Sequence, residues 1–337
     1  MRDFTDPNTK NESEEILERS LRPSSLSEII GREVEKKNIQ IMIDSAKKRS
    51  KALDHILFHG PPGLGKTSFA YVIAKEMAVP IHITNGSVLD KPGDLAAILT
   101  SLENNSVLFI DEIHRLKLNI EEILYPAMED SVLDIVIGKG PNARTLRLEL
   151  PQFTIIGATT KLSMVSGPLR DRFGMSFRLD FYSDEELQQL VLQKSRMLNV
   201  NIEEPAALEI ARRARMTARI AIRILKRVRD MAVVDGREVI DYEIAQKTLG
   251  LLDIDDNGLD MLDRNILKII IEHFNNRPVG LSTLAASLSE EPDTIETVYE
   301  PFLIKKGLIK RTPKGRVVTH IGLREYGGEH LLGIEEY

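Results

Sequence analysis

Residues 60–67 read Gly-Pro-Pro-Gly-Leu-Gly-Lys-Thr and match the phosphate-loop pattern G-x-x-x-x-G-K-S/T at every fixed position. The apolar residues 56–58 before the loop predict a buried strand, and residues 67–74 after it predict a helix. In this context backbone N–H groups can surround a phosphate, and the helix N-terminus adds its positive dipole end. The alternative is a glycine-rich turn before an ordinary helix.

Four residues of the loop have predicted roles in binding a nucleotide. We expect the backbone at Gly63 and Gly65 to wrap closely around phosphate oxygens, because glycine has no Cβ to prevent the approach. Lys66 is predicted to reach the β- and γ-phosphates, and the hydroxyl of Thr67 is predicted to ligate Mg²⁺.

A second motif, residues 107–112, reads Val-Leu-Phe-Ile-Asp-Glu and predicts a central parallel strand that ends at the same site. Asp111 is predicted to hold the magnesium, and Glu112 to act as general base on the attacking water. Many apolar strands end in acidic residues, so this motif predicts a nucleotide site only in combination with the phosphate loop. Together the two motifs predict nucleotide hydrolysis, and the Asp-Glu pair favours hydrolysis over nucleotide storage.

Composition limits the class of protein. The 337 residues allow two or three domains, and the net charge of −6 means that any contact with nucleic acid needs a local basic patch. Without cysteine there are no disulfides or cysteine-ligated metals. No segment is typical of a signal peptide or a membrane span, which predicts a cytoplasmic protein. The acidic residues 1–20 predict a mobile tail or a loosely docked arm.

The order of the predicted elements indicates an α/β fold. A helix is expected over 32–48, and the strands expected after it alternate with helices. This alternation predicts a parallel sheet covered on both faces. The predicted strands are residues 55–59, 80–84, 107–110 and 153–158.

Residues 132–150 interrupt this alternation. Two alternating segments flank the turn at 138–142, which predicts a β-hairpin inserted in the α/β domain. The hairpin is either an ordinary sheet edge or a projecting arm that binds a partner. The second possibility rests on the side chains at its tip, which are Lys139, Pro141, Asn142 and Arg144.

Two further features allow both a structural and a functional interpretation. Thr160 follows the buried strand at 153–158 and could contact the γ-phosphate or the attacking water, although a threonine at a strand end is usually structural. Residues 183–252 are predicted to be mostly helical and carry an arginine cluster at 212–229. These arginines form a solvated helix face, or they pack the aliphatic parts of their side chains on the core. A third possibility is that one of them reaches the nucleotide. The members that share one helix face are Arg219, Arg223 and Arg227.

The last third of the chain predicts a winged helix. The polar segment 253–258 marks a domain boundary, and three helices near 260–274, 281–289 and 292–306 precede a two-stranded wing at 308–319. A basic run without acids suggests contact with DNA phosphates, although many winged helices bind protein instead. The run contains Lys305, Lys306, Lys310, Arg311, Lys314 and Arg316.

Taken together, these motifs resemble the RuvB family, the bacterial AAA+ ATPases that drive branch migration of Holliday junctions. The resemblance covers residues 15–325. Its matching stretches are residues 21–23, 60–67, 91–100, 111–116, 124–130, 157–160, 168–174, 278–281 and 298–301.

The resemblance implies roles for individual residues. Thr160 falls at the sensor of the γ-phosphate, Arg219 at the second sensor, and Arg172 at an arginine finger inserted into the neighbouring subunit's ATP. Motif spacing alone leaves Arg170 and Arg172 as equal candidates for the finger. In the wing, Arg311 and Arg316 would contact DNA phosphates, and Lys314 between them is predicted to do the same. The remaining nucleotide contacts implied are Leu21, Arg22, Ser68, Glu129, Asp130, Ser131 and Tyr182.

The chain departs from the family pattern in two places. Residues 215–219 read Arg-Met-Thr-Ala-Arg, where the family has glycine and proline in place of Met216 and Ala218. Their loss removes a defined turn before the sensor helix, so the approach of Arg219 is less determined. Residues 275–277, Asn-Asn-Arg, replace an expected glycine run.

The function implied is an ATP-driven hexameric motor that pumps duplex DNA, with ATP and Mg²⁺ as cofactors and RuvA docked on the hairpin. The expected domains are a tail (1–20), an AAA+ domain (21–182), a helical lid (183–255) and a winged-helix head (256–337). One alternative is an AAA+ clamp-loader subunit or origin-binding initiator. Another is a regulator in which ATP only controls DNA binding, and an unfoldase is disfavoured because nothing resembles an aromatic pore loop.

Overall fold

The computed structural model describes residues 21–137 and 144–327, which form two compact units. The first contains Arg22–Gly60 and Leu64–Asp180. The second contains Leu21, Pro61–Gly63 and the described residues from Phe181 onward. The predicted N-terminal tail, the hairpin tip with Lys139, Pro141 and Asn142, and the last ten residues lie outside the described part of the chain.

The first unit is built on a parallel sheet of five strands, which are β1 (Ile56–His59), β2 (Ile81–Asn85), β3 (Val107–Asp111), β6 (Thr154–Thr159) and β7 (Met175–Arg178). Their order in the sheet is β2-β3-β6-β1-β7. Four of its strands were predicted. The fifth, β7, was not, because three of its four residues are exposed and it therefore lacks an apolar run.

Helices of this unit pack around the buried strands β1, β3 and β6. Phe58 on β1 stacks between Phe69 and Phe177, with ring centroids 5.1 and 5.6 Å away. The predicted parallel α/β fold is confirmed. The helices are α1 (Glu33–Arg49), α2 (Lys66–Met77), α3 (Pro92–Thr100), α4 (Leu118–Asp130) and α5 (Gly167–Arg170), with short 3₁₀ turns at Leu26–Glu28, Ile113–Arg115 and Leu162–Met164.

The predicted hairpin is also present. Strands β4 (Val132–Ile137) and β5 (Arg144–Glu149) pair antiparallel, and Asp134 and Arg147 form a bidentate ion pair across them. Because the tip and the side chain of Arg144 lie outside the described residues, the choice between a sheet edge and a docking arm stays a prediction.

In the second unit, four helices form the predicted lid. The first begins with a capping box at Ser183, as its sequence indicates: the Ser183 hydroxyl accepts from the Glu186 N–H, and the Glu186 carboxylate accepts from the Ser183 N–H. The elements are α6 (Asp184–Met197), α7 (Glu204–Arg212), α8 (Ala218–Val234) and α9 (Tyr242–Leu251), with a short parallel pair of β8 (Asn201–Ile202) and β9 (Val239–Ile240).

The winged helix follows in the predicted order of three helical segments and a wing. Two of the segments contain a π-helical turn, at Ile269–His273 and Ile295–Tyr299, and a final helix follows the wing. Within the described ranges, no helix combines the length and hydrophobicity needed to span a membrane. The elements are α10 (Met261–Lys268), α11 (Leu281–Leu288), α12 (Pro292–Thr294), α13 (Glu300–Lys305), β10 (Ile309–Thr312), β11 (Gly315–Val318) and α14 (His320–Tyr326).

Candidate nucleotide site and DNA-binding wing

The phosphate loop joins β1 to α2, as predicted. Gly60 and Gly65 have φ angles of 138° and 93°, in the region that favours glycine, and Gly65 is the residue before the first turn of α2. A Cβ on Gly60 would lie 2.2 Å from the carbonyl oxygen of Leu179, so the chain passes too close for any side chain. The buried Lys66 directs its Nζ to the Gly60 carbonyl at 2.7 Å, which holds the ammonium over the loop.

The acids of the second motif lie at the carboxyl end of β3, beside β6. Asp111 is the last residue of β3, and its Oδ1 accepts the Glu112 N–H at 3.0 Å. Glu112 itself has a left-handed backbone, with φ of 45°, which turns its side chain away from the line of the strand. This reversal directs Glu112 toward the end of the neighbouring strand.

Glu112 is held there by two neighbours. Its Oε2 accepts the Thr160 hydroxyl at 3.0 Å and lies 3.2 Å from Nδ1 of His114, whose side chain is 5% exposed. The same Nδ1 lies 2.9 Å from the hydroxyl of the buried Thr159. Burial raises the pKa of Glu112, but the hydrogen bonds from His114 and Thr160 outweigh it, so the pKa lies below its ordinary value. The carboxylate is therefore ionised at neutral pH, as a general base must be.

The donor set suits a nucleotide with magnesium. The Thr67 hydroxyl and the Asp111 carboxylate are hard oxygen ligands of the kind Mg²⁺ prefers. Among the described residues no cluster of three or more acids, histidines or cysteines could hold a metal alone. Mg²⁺ is usually held by one or two protein oxygens together with substrate phosphates.

The side chain of Arg172 is held by Tyr125, Glu129 and Pro168, which together form the Arg172 cradle. Its guanidinium lies 4.2 Å above the ring of Tyr125, Nη2 pairs with Glu129 at 3.1 Å, and Nη1 donates to the Pro168 carbonyl at 2.7 Å. Arg170, the other candidate for the finger, is exposed. The two arginines therefore differ in their surroundings, and the choice of Arg172 as the finger stays a prediction.

The second unit holds Arg219 at the start of α8. Its backbone N–H donates to the Gly63 carbonyl at 3.2 Å, and a Cβ on Gly63 would lie 3.1 Å from that of Arg219. Thr217 caps the helix with its hydroxyl, and the Tyr182 N–H donates to the Met216 carbonyl at 3.0 Å. The turn without the family's glycine and proline thus places the Arg219 N–H on Gly63, and the role of Arg219 as a sensor stays a prediction.

Two members of the arginine cluster are buried in ion pairs and are not solvated. Arg213 binds Glu209 at 2.6 Å, and Arg215 pairs with Asp260 at 3.3 Å and with the fully buried Asp263. The Arg215 guanidinium also lies over two rings of the winged helix, 5.0 Å from Tyr299 and 4.6 Å from Phe302. Arg215 therefore joins the lid to the winged helix.

The wing presents its predicted DNA-binding residues unequally. Lys314 is exposed at the turn between β10 and β11. Arg311 and Arg316 pair directly across the two strands, and both bind Glu300, whose side chain is only 1% exposed.

Comparisons with known proteins agree with this architecture. The RuvB P-loop domain of Holliday junction DNA helicases matches residues 21–179, the RuvB AAA lid domain matches 182–255, and the RuvB C-terminal winged helix domain matches 256–326. This chain belongs to the RuvB family.

Solved structures of RuvB from Thermotoga maritima resemble the chain over nearly its whole length. The RuvB Holliday junction branch migration motor is 48% identical, with a TM-score of 0.84 over 92% of this chain and 99% of that one. A lysine-to-arginine mutant and an alanine-to-serine mutant of the same protein are each 49% identical over the same shares, with TM-scores of 0.85 and 0.86. The predicted resemblance and the predicted fold are confirmed, and the chain is a nucleotide-binding AAA+ ATPase of a family that acts on Holliday junctions.

The RuvB-like residues predicted from the sequence fall into separate groups. Lys66 and Thr67 follow β1, Asp111 and Glu112 lie at the end of β3, and Thr160 follows β6, so these five lie at the carboxyl edge of the sheet, and their individual roles stay predictions. Leu21 is buried, and Arg22 lies 4.2 Å above the ring of Tyr71. Ser68 lies in the first turn of α2, while Glu129, Asp130 and Ser131 end α4.

Four residues that contact predicted site residues or hold the turn before Arg219 were not predicted from the sequence: His114, Tyr125, Arg215 and Glu300. His114 and Tyr125 lie inside stretches recognised as RuvB motifs, so a closer reading of those motifs could have identified them. Arg215 stands in the arginine cluster, but no local pattern separates its buried position from the exposed Arg212. Glu300 stands five residues before Lys305, the first member of the basic run.

Proposed function

We propose that this chain is an ATP-driven motor of Holliday-junction branch migration that works as a hexameric ring. The observation that carries the proposal is the pairing of Glu112 with Thr160 at the sheet edge that also carries the phosphate loop. A base, a phosphate sensor and a phosphate cradle at one edge are the parts that ATP hydrolysis requires.

In the proposed site Lys66 and the loop N–H groups bind the phosphates, and Thr67 and Asp111 hold Mg²⁺. The ion would neutralise charge on the transferred phosphoryl group. Glu112 accepts a proton from the attacking water, and Thr160 donates its hydroxyl to the γ-phosphate. His114 keeps the Glu112 carboxylate oriented while Thr160 makes that contact.

We propose that neighbouring subunits complete the site. Arg172 acts in trans, where its charge offsets charge that develops on the phosphoryl group. Arg219 reaches the phosphates from the lid, and Leu21, Arg22, Ser68 and Tyr182 contribute further contacts to the nucleotide. The segment Glu129, Asp130 and Ser131 lies beside Arg172 and contacts the nucleotide at the same interface.

DNA is proposed to pass along the wings, which contact backbone phosphates through Arg311, Lys314 and Arg316 with little dependence on sequence. Hydrolysis would change the angle of the lid and so draw the duplex through the ring. A RuvA-type junction protein docks on hairpin 132–150. We propose the domain limits 21–182, 183–255 and 256–337, and a cytoplasmic location because the DNA substrate lies there.

Dissociation of a synthetic four-way junction tests the proposal. We expect it to require ATP, a RuvA partner and Arg172, so that Arg172→Ala binds nucleotide but does not turn it over. Arg170→Ala is the matched control and should retain activity, since Arg170 is exposed and outside the cradle. An intact junction, together with ATPase activity stimulated by a sliding clamp, would favour the clamp-loader alternative.

Mixing two inactive variants tests the trans position of the finger. Lys66→Ala should not bind nucleotide and Arg172→Ala should not hydrolyse it. In mixed rings an intact site of one variant meets an intact finger of the other, so ATPase activity should return. A finger that acts within its own subunit would leave every mixture inactive.

A further inference from the structure

We infer that Glu300 is the positioning residue of the wing, the buried carboxylate that orients the two arginines offered to DNA. The inference rests on the proposed contact between the wing and duplex DNA. It assigns a role to a carboxylate in a surface that must attract the DNA polyanion. The negative charge of that carboxylate would by itself weaken DNA binding.

The first observation is the register of the wing. Arg311 and Arg316 are directly opposite each other on β10 and β11, so their side chains share one face of the ribbon. Like charges in this position destabilise a strand pair. A carboxylate between them removes the repulsion and still leaves one net positive charge on the three residues.

The second observation is the geometry of the contacts. Glu300 Oε1 accepts from Nε of Arg311 at 2.5 Å and from Nε of Arg316 at 3.1 Å, while Oε2 accepts from Nη2 of Arg316 at 3.0 Å. Both guanidinium groups are thus fixed by the edge nearest the backbone. Of five N–H groups each, Arg316 uses two and Arg311 uses one on Glu300, and the remaining N–H groups make no hydrogen bond to that carboxylate.

The third observation concerns the backbone, which is fixed without Glu300. Val279 and Arg316 exchange two backbone hydrogen bonds of 2.9 and 2.8 Å, and the Thr312 hydroxyl closes the turn on the Gly315 carbonyl at 2.9 Å. A Cβ on Gly315 would lie 2.4 Å from the Val279 carbonyl oxygen, which records how closely the two segments approach. Loss of Glu300 should therefore release the arginine side chains and leave the wing itself in place.

The two arginines are not equivalent in this arrangement. The side chain of Arg311 is 52% exposed and that of Arg316 only 15%. Arg311 thus offers most of the N–H groups available to a phosphate, and Arg316 contributes more to holding the face together. Preorganised donors lose less side-chain entropy when a ligand binds.

Glu300→Gln tests the inference against Glu296→Gln. Each removes one negative charge near Arg311, but Glu296 Oε1 is 3.9 Å from Arg311 Nη2, too far for a hydrogen bond. A purely electrostatic role would make both variants bind DNA more tightly. A positioning role makes Glu300→Gln bind less tightly and leaves Glu296→Gln equal to wild type or slightly tighter.

The measurement is fluorescence anisotropy of a labelled duplex with the full-length chain, a non-hydrolysable ATP analogue and Mg²⁺, over a range of salt concentrations. One lost phosphate contact lowers the slope of log K against log salt by about 0.9, equivalent to about eightfold weaker binding at 0.1 M salt. We expect at least that change for Glu300→Gln and a similar one for Arg311→Ala. Equal or tighter binding by Glu300→Gln would overturn the inference.

Two controls keep the outcomes distinct. If Glu300→Gln does not fold, Glu300→Asp keeps the charge but shortens the reach to both arginines, and unchanged binding by this variant would overturn the inference. If the wild type binds no duplex, or Arg311→Ala binds as well as wild type, the proposed DNA contact fails and the inference fails with it. If binding depends on Arg311 but not on Glu300, only the inference fails.

Discussion

The phosphate loop and the turn before α8 both need left-handed backbone, and they obtain it differently. The loop uses glycines, with φ of 138° at Gly60 and 93° at Gly65. The turn uses Arg215 and Met216, with φ of 50° and 55°. Left-handed backbone costs an ordinary residue roughly 1–2 kcal/mol, so the turn needs contacts from outside to hold it.

Those contacts come from the winged helix and from Tyr182. Arg215 is fixed by Asp263 and by two aromatic rings, and Met216 packs against the winged-helix core and accepts the Tyr182 N–H. The comparison teaches that a strained backbone can be set by the local sequence or by distant partners. Only the first kind can be recognised in a motif.

The largest effect is expected for Gly60→Ala, because its Cβ would overlap the Leu179 carbonyl oxygen. We expect a loss of about 5 kcal/mol in the free energy of unfolding, large for a single substitution, together with loss of nucleotide binding. Chemical denaturation and nucleotide titration measure both. Gly236→Ala is the control: its φ is 65° with nothing within 4 Å, so it should cost only about 1–2 kcal/mol. Equal losses would show that close approach is not the constraint at Gly60.

Arg215→Ala should have the next largest effect. It leaves the buried Asp263 without its cation, and breaking a buried pair from one side costs about 3–5 kcal/mol. Denaturant unfolding measures the change. Arg227→Ala removes an ion pair with Asp230 that is about half exposed, so it should cost less than about 1 kcal/mol. If both variants lose the same small amount, the turn is not held by its partners.

The smallest effect is expected at Met216. Met216→Gly relieves the strained φ but loses packing, so we expect a net change within about 1 kcal/mol. Met216→Ala loses the same packing and keeps the strain. Alanine should therefore be less stable than glycine here, the reverse of the usual order in a helix. Calorimetry of the two variants decides it, and the usual order would mean that the turn is unstrained.

The same distinction explains what could be predicted from the sequence. The phosphate loop, four strands of the parallel sheet and the order of the winged helix depend on residues close in the chain, and these predictions agree with the structure. Strand β7 was not predicted, because an exposed edge strand needs no apolar run. The contact between Glu112 and Thr160 joins residues 48 positions apart, and only the neighbouring places of β3 and β6 in the sheet bring them together.

The arginines show the limit most clearly. Arg212, Arg213 and Arg215 stand in one basic segment, yet the first is exposed and the other two are buried in ion pairs. Arg213 meets its acid one helical turn back, at Glu209, whereas the acids that pair with Arg215 depend on where α10 packs, and periodicity does not encode that. The role of Glu300 was not predicted for the same reason. Its partners Arg311 and Arg316 lie on later strands of the chain and meet it only in the folded wing.

Arg215 also has a consequence for biosynthesis. Its partner Asp263 lies 48 residues later in the chain, and the Val298 carbonyl that accepts from it lies 83 residues later. A nascent chain that has just completed the lid helices therefore holds an arginine whose partners have not yet left the ribosome. Since domains generally fold as units from the N-terminus during synthesis, the lid of this protein should reach its final stability only after the winged helix has been made.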